Sequence, residues 1–161
     1  MSTKVAAIAI VISLIISALL INAGSQGSII VNGWPLFALC APIGFLLHWT
    51  FFIPSYILRT DHYFDLIGST SYVATAITAA MLSPSLDLRG IIICSMVVIW
   101  ATRLGLFLFT RIKQDGKDVR LDVIKTKFIR FLNLWTLGGL WVLVTMGAGL
   151  AAMTSKTSLD I

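Results

Sequence analysis

The sequence predicts an all-α fold, a polytopic bundle of transmembrane helices, from its composition and from the pattern of its apolar residues. Of 161 residues, 58% are hydrophobic and 12% are charged, whereas soluble domains average about 45–50% apolar and about 25% charged residues. All 7 acidic residues are Asp and none is Glu, which indicates little water-facing helix surface. The apolar residues fall into about five long stretches, so we expect one membrane-embedded domain over residues 1–161.

The first two spans are predicted at residues 5–23 and 34–58. The first is about 28 Å long as a helix, close to the thickness of the bilayer's hydrocarbon core, and its apolar run is longer than that of a signal peptide, about 7–15 residues. The second contains Pro42 in its interior and Pro54 near its end. Each proline removes a backbone donor, so we expect the helix to bend there.

The remaining three spans are predicted at residues 63–82, 91–110 and 131–153. Ser71, Thr75 and Ala79 recur at four-residue spacing in the third span. Small residues at that spacing let a neighbouring membrane helix approach closely. We therefore expect this face of the third span to be a helix–helix interface.

The basic residues predict the topology. The formal net charge is +5, and basic residues concentrate between Arg111 and Arg130. Five spans place the N-terminus, the 59–62 turn and the 111–130 loop on one side of the membrane, and cytoplasmic segments carry the excess of Lys and Arg. We therefore expect these three segments in the cytoplasm. A basic cluster beside apolar spans indicates the membrane topology or a contact with anionic lipid. It does not indicate a nucleic-acid partner.

Asp65 and Arg103 are the charged residues that fall inside predicted spans. Arg103 lies about 12 Å along its helix from Arg111, and an arginine at that depth costs about 2.5 kcal/mol or more unless it is paired or solvated. Asp65 is the natural partner, and the pair would either lock two helices together or belong to a functional site. His48 is interpreted as a hydrogen-bonding residue between helices, and no metal site is expected.

Three ordered motifs resemble one family. Phe52–Pro54 (FIP) followed by Thr60–Ser69 (TDHYFDLIGS) resembles the FIP…TEKFYDLTGS-type stretch of bacterial membrane proteins related to steroid 5-alpha-reductases. Trp100–Arg111 (WATRLGLFLFTR) and the following Gly116–Arg120 (GKDVR) resemble the same family's W-RLG-FL-R…G-D-R signature. Phe131–Leu137 (FLNLWTL) is similar to the family's next helix.

The resemblance covers most of residues 45–153 and implies an oxidoreductase that uses NADPH to reduce a carbon–carbon double bond conjugated to a carbonyl. The implied fold is a seven-helix bundle in the bacterial inner membrane, where a lipophilic substrate enters from the bilayer and the cofactor from the cytoplasm. It assigns no catalytic residue. The candidates are Asp65, Trp100 and Arg103 for the substrate pocket, and Asp118 and Arg120 for the cofactor-side loop.

The sequence also departs from the family's pattern. Gly138 stands where the resemblance implies a glutamine in WTLQGLW, and His48 stands where it implies another in QW. The family's SRHPNYFGE-like segment and most of its cofactor-binding residues lie in further helices, which residues 1–161 do not contain. The resemblance therefore implies the amino-terminal half of a reductase, inactive and without NADPH until complementing helices or a second chain join it. The alternative is a non-catalytic membrane scaffold or degenerate relative.

Overall fold

The computed structural model describes residues 2–84, 86–115 and 124–157, and these form a helical bundle. The elements in chain order are α1 (Thr3–Ser25), β1 (Ile30–Val31), β2 (Trp34–Pro35), α2 (Leu36–Cys40), α3 (Ile43–Ile57), α4 (Phe64–Leu82), α5 (Leu88–Asp115) and α6 (Phe128–Met153). The predicted all-α membrane fold is confirmed. Four described helical segments are long and apolar enough to cross a membrane: Thr3–Ser25, Leu36–Ile57, Leu88–Arg111 and Phe128–Met153.

Helix α4 is the predicted third span, and it is not among those four segments. Its sequence contains several hydroxyl residues, which lower its hydropathy, and of these Ser69, Ser71 and Thr75 are buried in the bundle. Ser71, Thr75 and Ala79 are all buried, as their spacing predicts. The Ser71 hydroxyl donates to the Ile67 carbonyl at 2.7 Å, so this polar group is satisfied within its own helix. Helix α4 is thus a central helix of the bundle, surrounded by more apolar ones.

The second predicted span is divided at its interior proline. Helix α2 ends at Cys40 and α3 begins at Ile43, with Pro42 as the residue that caps α3. Pro54 lies inside α3 without ending it, and the Leu58 amide donates to the Pro54 carbonyl at 2.9 Å. The interruption expected at Pro42 is therefore present.

A short β-hairpin precedes α2, and the sequence prediction missed it by assigning Trp34 and Pro35 to a helical span. The two strands pair antiparallel across Asn32 and Gly33, whose φ angles are 51° and 82°. Asn-Gly is the residue pair that favours a two-residue hairpin turn, since both central residues need positive φ. The turn therefore delays the start of the helix to Leu36.

Contacts between backbone groups bring several connections together at one end of the bundle, called the hairpin end here. The Ile29 amide donates to the Thr154 carbonyl at 2.8 Å, and the Lys156 amide donates to the Gly27 carbonyl at 3.0 Å. The Arg89 guanidinium donates to the Thr157 carbonyl at 2.9 Å. The exits of α1 and α6 and the entry of α5 therefore share this end. The opposite end, where α3 and α5 end and α4 and α6 begin, is the loop end.

Helices α3 and α6 cross at close range because glycines replace side chains at the contact. A β-carbon on Gly139 would lie 2.6 Å from Cδ1 and 3.1 Å from Cα of Phe45. A β-carbon on Gly44 would lie 3.1 Å from Cγ1 of Val142. Phe45 and Val142 are both buried. Helix α6 contributes to each of the three apolar clusters of the bundle, and α1 and α5 lie on its flanks.

We expect Gly139→Ala to destabilise the protein by about 1–3 kcal/mol, because overpacking forces a buried neighbour to move. Phe45 cannot yield easily, since its backbone as well as its ring faces the new methyl group. The matched control is Gly147→Ala in the same helix, where a β-carbon meets nothing within 4 Å. The control is expected to be neutral, or stabilising by up to about 1 kcal/mol. Thermal unfolding in detergent measures both, and an unchanged midpoint for Gly139→Ala contradicts the close crossing.

Candidate functional site

The loop end begins with a tight reversal between α3 and α4. Arg59 adopts a left-handed conformation with φ 50°. The Thr60 amide then donates to the Ser55 carbonyl at 2.9 Å, and the His62 amide donates to the Thr60 hydroxyl at 3.2 Å. These local hydrogen bonds fix the chain direction, so the polar residues that follow are held in place.

An ion pair between Asp61 and Lys125 joins this reversal to the segment that precedes α6. The Lys125 Nζ lies 2.5 Å from the Asp61 Oδ1, and the two side chains are 6% and 17% exposed. The Asp61 carbonyl also accepts from the Phe64 amide at 2.9 Å. Because a largely buried lysine needs a partner for its charge, this pair connects the α3–α4 reversal to the entry of α6. Sequence reasoning missed the pair, although both residues directly precede helices that start at the same end.

Aromatic and charged groups bring the end of α5 to the same place. The His62 ring lies edge-on to Phe109, with ring centroids 5.6 Å apart, and edge-on to Tyr63 at 5.1 Å. Asp65, in the first turn of α4, lies within electrostatic reach of Arg111 and of Asp61. The loop end therefore gathers two acids, two cations and a histidine from four helices or their connections.

The expected ion pair between Asp65 and Arg103 is not formed between these two described residues. Arg103 is exposed on α5, whereas Ala101 and Gly105 on either side of it face inward and are buried. A shift of two residues rotates a side chain by about 200° around a helix. Arg103 therefore points away from α4, and the cation near Asp65 is Arg111.

The other predicted site residues are dispersed. Trp100 is 46% exposed and lies edge-on to the buried Tyr72 of α4, with ring centroids 5.0 Å apart. Trp100 and Arg103 are one helical turn apart on the exposed side of α5, so the structure brings these two near one another. Asp118 and Arg120 lie outside the described residues.

The two departures from the family's pattern are in direct contact. A β-carbon on Gly138 would lie 2.6 Å from both Cδ2 and Nε2 of His48. The His48 ring is buried, and its Nδ1–H donates to the Gly44 carbonyl at 2.6 Å. Phe64 and Trp135 pack edge-on around the same ring. The imidazole thus occupies the space above Gly138. Its hydrogen bond to Gly44 lies within α3, so the hydrogen bond between helices predicted for His48 is not the one it makes.

Among the residues that the structure describes, no three His, Cys, Asp or Glu side chains converge as a metal site would require. The described residues of the loop end interact through charge pairs and hydrogen bonds. Asp61 and Asp65 each lie beside a cation there, Lys125 for Asp61 and Arg111 for Asp65.

The fold and the polar loop end define an integral membrane protein with several helical spans. The chain belongs to the family described as Protein of unknown function (DUF1295), whose model matches residues 51–160. This family is associated with steroid 5-alpha-reductase-like proteins. Comparisons with curated proteins and with solved structures gave no match.

We expect Asp61→Asn to lower stability by about 3–5 kcal/mol, because it removes the Asp61 carboxylate from the buried Lys125 ammonium. The double variant Asp61→Asn/Lys125→Met is expected to lose less than the sum of the two single changes. Lys127→Met, at an exposed lysine two residues along, is the control and is expected to be neutral. Thermal unfolding in detergent measures all four, and purely additive losses would show that the pair contributes nothing.

We expect Asp65→Asn and Arg103→Gln to have additive effects on unfolding, to within about 0.5 kcal/mol, since the two side chains share no contact. Asp65→Asn and Arg111→Gln are expected to be non-additive, because those charges interact. Two double-mutant cycles in one detergent compare the pairs directly. Coupling between Asp65 and Arg103 larger than that between Asp65 and Arg111 is the contrary result.

Proposed function

We propose that this chain is part of a membrane reductase that acts on a lipophilic enone. The observation that carries the proposal is the family match over residues 51–160, which spans all three motifs that resemble steroid 5-alpha-reductase-like proteins. In such a reaction a hydride is added to the β-carbon of the enone and a proton to the α-carbon. A polar group that donates a hydrogen bond to the carbonyl oxygen stabilises the enolate as it forms.

Trp100 and Arg103 are the proposed substrate-side residues of this chain, with Asp65 at the loop end. The first two lie together on the exposed side of α5, in a span apolar enough to meet a substrate that arrives through the bilayer. An arginine can donate hydrogen bonds to a carbonyl oxygen and a tryptophan can cover an apolar ring. This placement supports a lipophilic substrate.

NADPH is the reductant that the resemblance implies, and the family's pattern implies that most of the residues that bind it lie in further helices. At the loop end, Lys125 is paired with Asp61 and Arg111 lies beside Asp65, so these two cations are already engaged. We therefore propose that helices from outside this chain supply most of the cofactor site. The chain by itself is then inactive.

The alternative is a non-catalytic scaffold, and the packing of His48 on Gly138 favours it. The resemblance implies a glutamine at each position. Here the buried His48 ring fills the space that a side chain at position 138 would need. Loss of the glutamine from both positions suits a protein retained for contacts between helices.

The two functions separate in a reconstitution experiment. The chain in nanodiscs is titrated with NADPH by fluorescence, alone and after co-expression with the carboxyl-terminal helices of a longer DUF1295 relative. We expect no saturable binding alone, and one NADPH oxidised per enone reduced in the assembled complex. The control contains the carboxyl-terminal helices without this chain.

Saturable NADPH binding by the chain alone contradicts the proposal that other helices supply the cofactor site. An assembled, folded complex that binds NADPH and reduces no enone favours the scaffold. The co-purified stoichiometry of the two parts must be measured first, so that failed assembly is not mistaken for lack of catalysis.

A further inference from the structure

A groove opens between α1 and α3 on the surface of the bundle. Its volume is about 220 Å³, several times the roughly 30 Å³ that one water molecule occupies in the liquid. Its lining residues all precede residue 51, where the family match begins, so the groove is not built from the motif residues. Helix α1 contributes Leu14, Ala18 and Ile21, and α3 with its capping residue contributes Pro42, Leu46 and Trp49.

The groove is apolar and lies within membrane-spanning segments. Thr3–Ser25 and Leu36–Ile57, which form it, are both long and apolar enough to cross a membrane. Leu14 and Leu46 on its two sides are 39% and 59% exposed, so the groove is open toward lipid. The chain contains no Asp, Glu, Lys or Arg from residue 5 to residue 58. The charge of this region therefore suits an uncharged, apolar occupant.

The polar side chains that line the groove already have hydrogen-bond partners within the protein. The Ser17 hydroxyl donates to the Ser13 carbonyl at 2.7 Å. The Trp49 Nε1–H donates to the Thr136 hydroxyl at 3.2 Å. A polar ligand would therefore gain little inside the groove, whereas a hydrocarbon chain needs no hydrogen bond there. Such a chain gains dispersion contacts, because the lining atoms lack neighbours on the open side.

The dimensions of the groove favour a single hydrocarbon chain over a helix. Leu14 and Ile21 are about 10 Å apart along α1, so a volume of about 220 Å³ corresponds to a mean cross-section of about 20 Å². A helix with its side chains is about 10–12 Å in diameter, which is a cross-section of about 80 Å² or more. The groove is therefore too narrow to accept a helix.

Asn22 places a polar group beside the groove, toward the hairpin end. It lies four residues beyond Ala18, so it is one turn nearer the hairpin end on the same side of α1. Its side chain is exposed, and its amide has no hydrogen bond to another residue in the described part of the chain. Helical side chains lean toward the N-terminus of their own helix, so Asn22 leans toward the groove. It is about 4.5 Å from the end of α1 at Ser25, close to the boundary between hydrocarbon and headgroups.

We propose that this groove binds one acyl chain of a phospholipid from the leaflet at the hairpin end, and that the Asn22 amide donates a hydrogen bond to the ester carbonyl of that chain. The ester joins the chain to glycerol, where hydrocarbon meets headgroup. A side-chain amide carries two N–H donors that can reach such a carbonyl. The chain then continues past Ala18 and Leu14. The inference does not depend on the reductase proposal, since these residues lie outside the motifs that carry it.

The test compares two lipids that differ only in how their chains are attached. Dioleoylphosphatidylcholine has ester carbonyls, and its dialkyl ether analogue has none. The purified chain in dodecylmaltoside is titrated with each lipid, and native mass spectrometry gives the dissociation constant of the first lipid bound. We expect the ester lipid to bind about fivefold more tightly than the ether lipid, as one hydrogen bond gives.

Asn22→Leu is expected to abolish the preference for the ester lipid, and Asn22→Gln to retain part of it because it keeps the amide. Ala18→Phe fills the groove, and it is expected to weaken binding of the first ester lipid by about fivefold or more. Ala7→Phe, at an exposed alanine of α1 that does not line the groove, is the matched control and is expected to change neither quantity. Circular dichroism establishes that each variant is folded.

Several results would overturn the proposal. Equal binding of the ester and ether lipids is one, and a preference that survives Asn22→Leu is another. Unchanged lipid binding by Ala18→Phe would show that the first lipid lies elsewhere on the bundle. Dimers of the unmodified chain that Ala18→Phe separates would make a second copy the occupant. None of these results affects the reductase proposal, because that proposal is decided by NADPH binding and turnover.

Discussion

The close crossing of α3 and α6 is the constraint on which the rest of the bundle depends. In a bilayer the hydrophobic effect does not drive helices together, so association relies on close packing and polar contacts. Gly44 and Gly139 let the two backbones approach until Phe45 and Val142 fill the remaining space. Helix α6 then contacts α1, α3, α4 and α5, and its residues occur in every apolar cluster. Each other helix therefore takes its position relative to this pair.

Polar residues divide between two tasks according to where they lie. In the interior, the hydroxyls of Ser69 and Ser71 in α4 bond within their own helix, and the small size of these residues serves packing. At the loop end, Asp61 and Lys125 instead join separate segments through opposite charges. In this bundle, an ion pair therefore joins helix ends, whereas close packing of small residues joins the helices along their length. Arg103 follows neither rule, because its charge lies on an outward surface.

Much of the architecture could be predicted from the sequence, because apolar length and proline position act locally. The spacing of Ser71, Thr75 and Ala79 identified a buried face, and Pro42 identified a break. Pairing between residues far apart in the chain could not be predicted in the same way. Asp65 was assigned to Arg103 because these are the charged residues inside the predicted spans, and position along a span does not determine the rotation of a helix about its axis. That rotation is set by the contacts of Ala101 and Gly105 with the rest of the bundle.

The packing of α1 against α6 has a consequence for the order of assembly. Helix α1 contacts mainly α6, and the segment that follows it pairs through Ile29 and Gly27 with residues beyond α6. Ribosomes make the chain from its N-terminus, so α1 enters the bilayer long before α6, the helix against which it packs. During that interval α1 has lipid, the hairpin region and α2 as neighbours. Assembly of this bundle therefore includes a docking event between α1 and α6, a helix that is made much later.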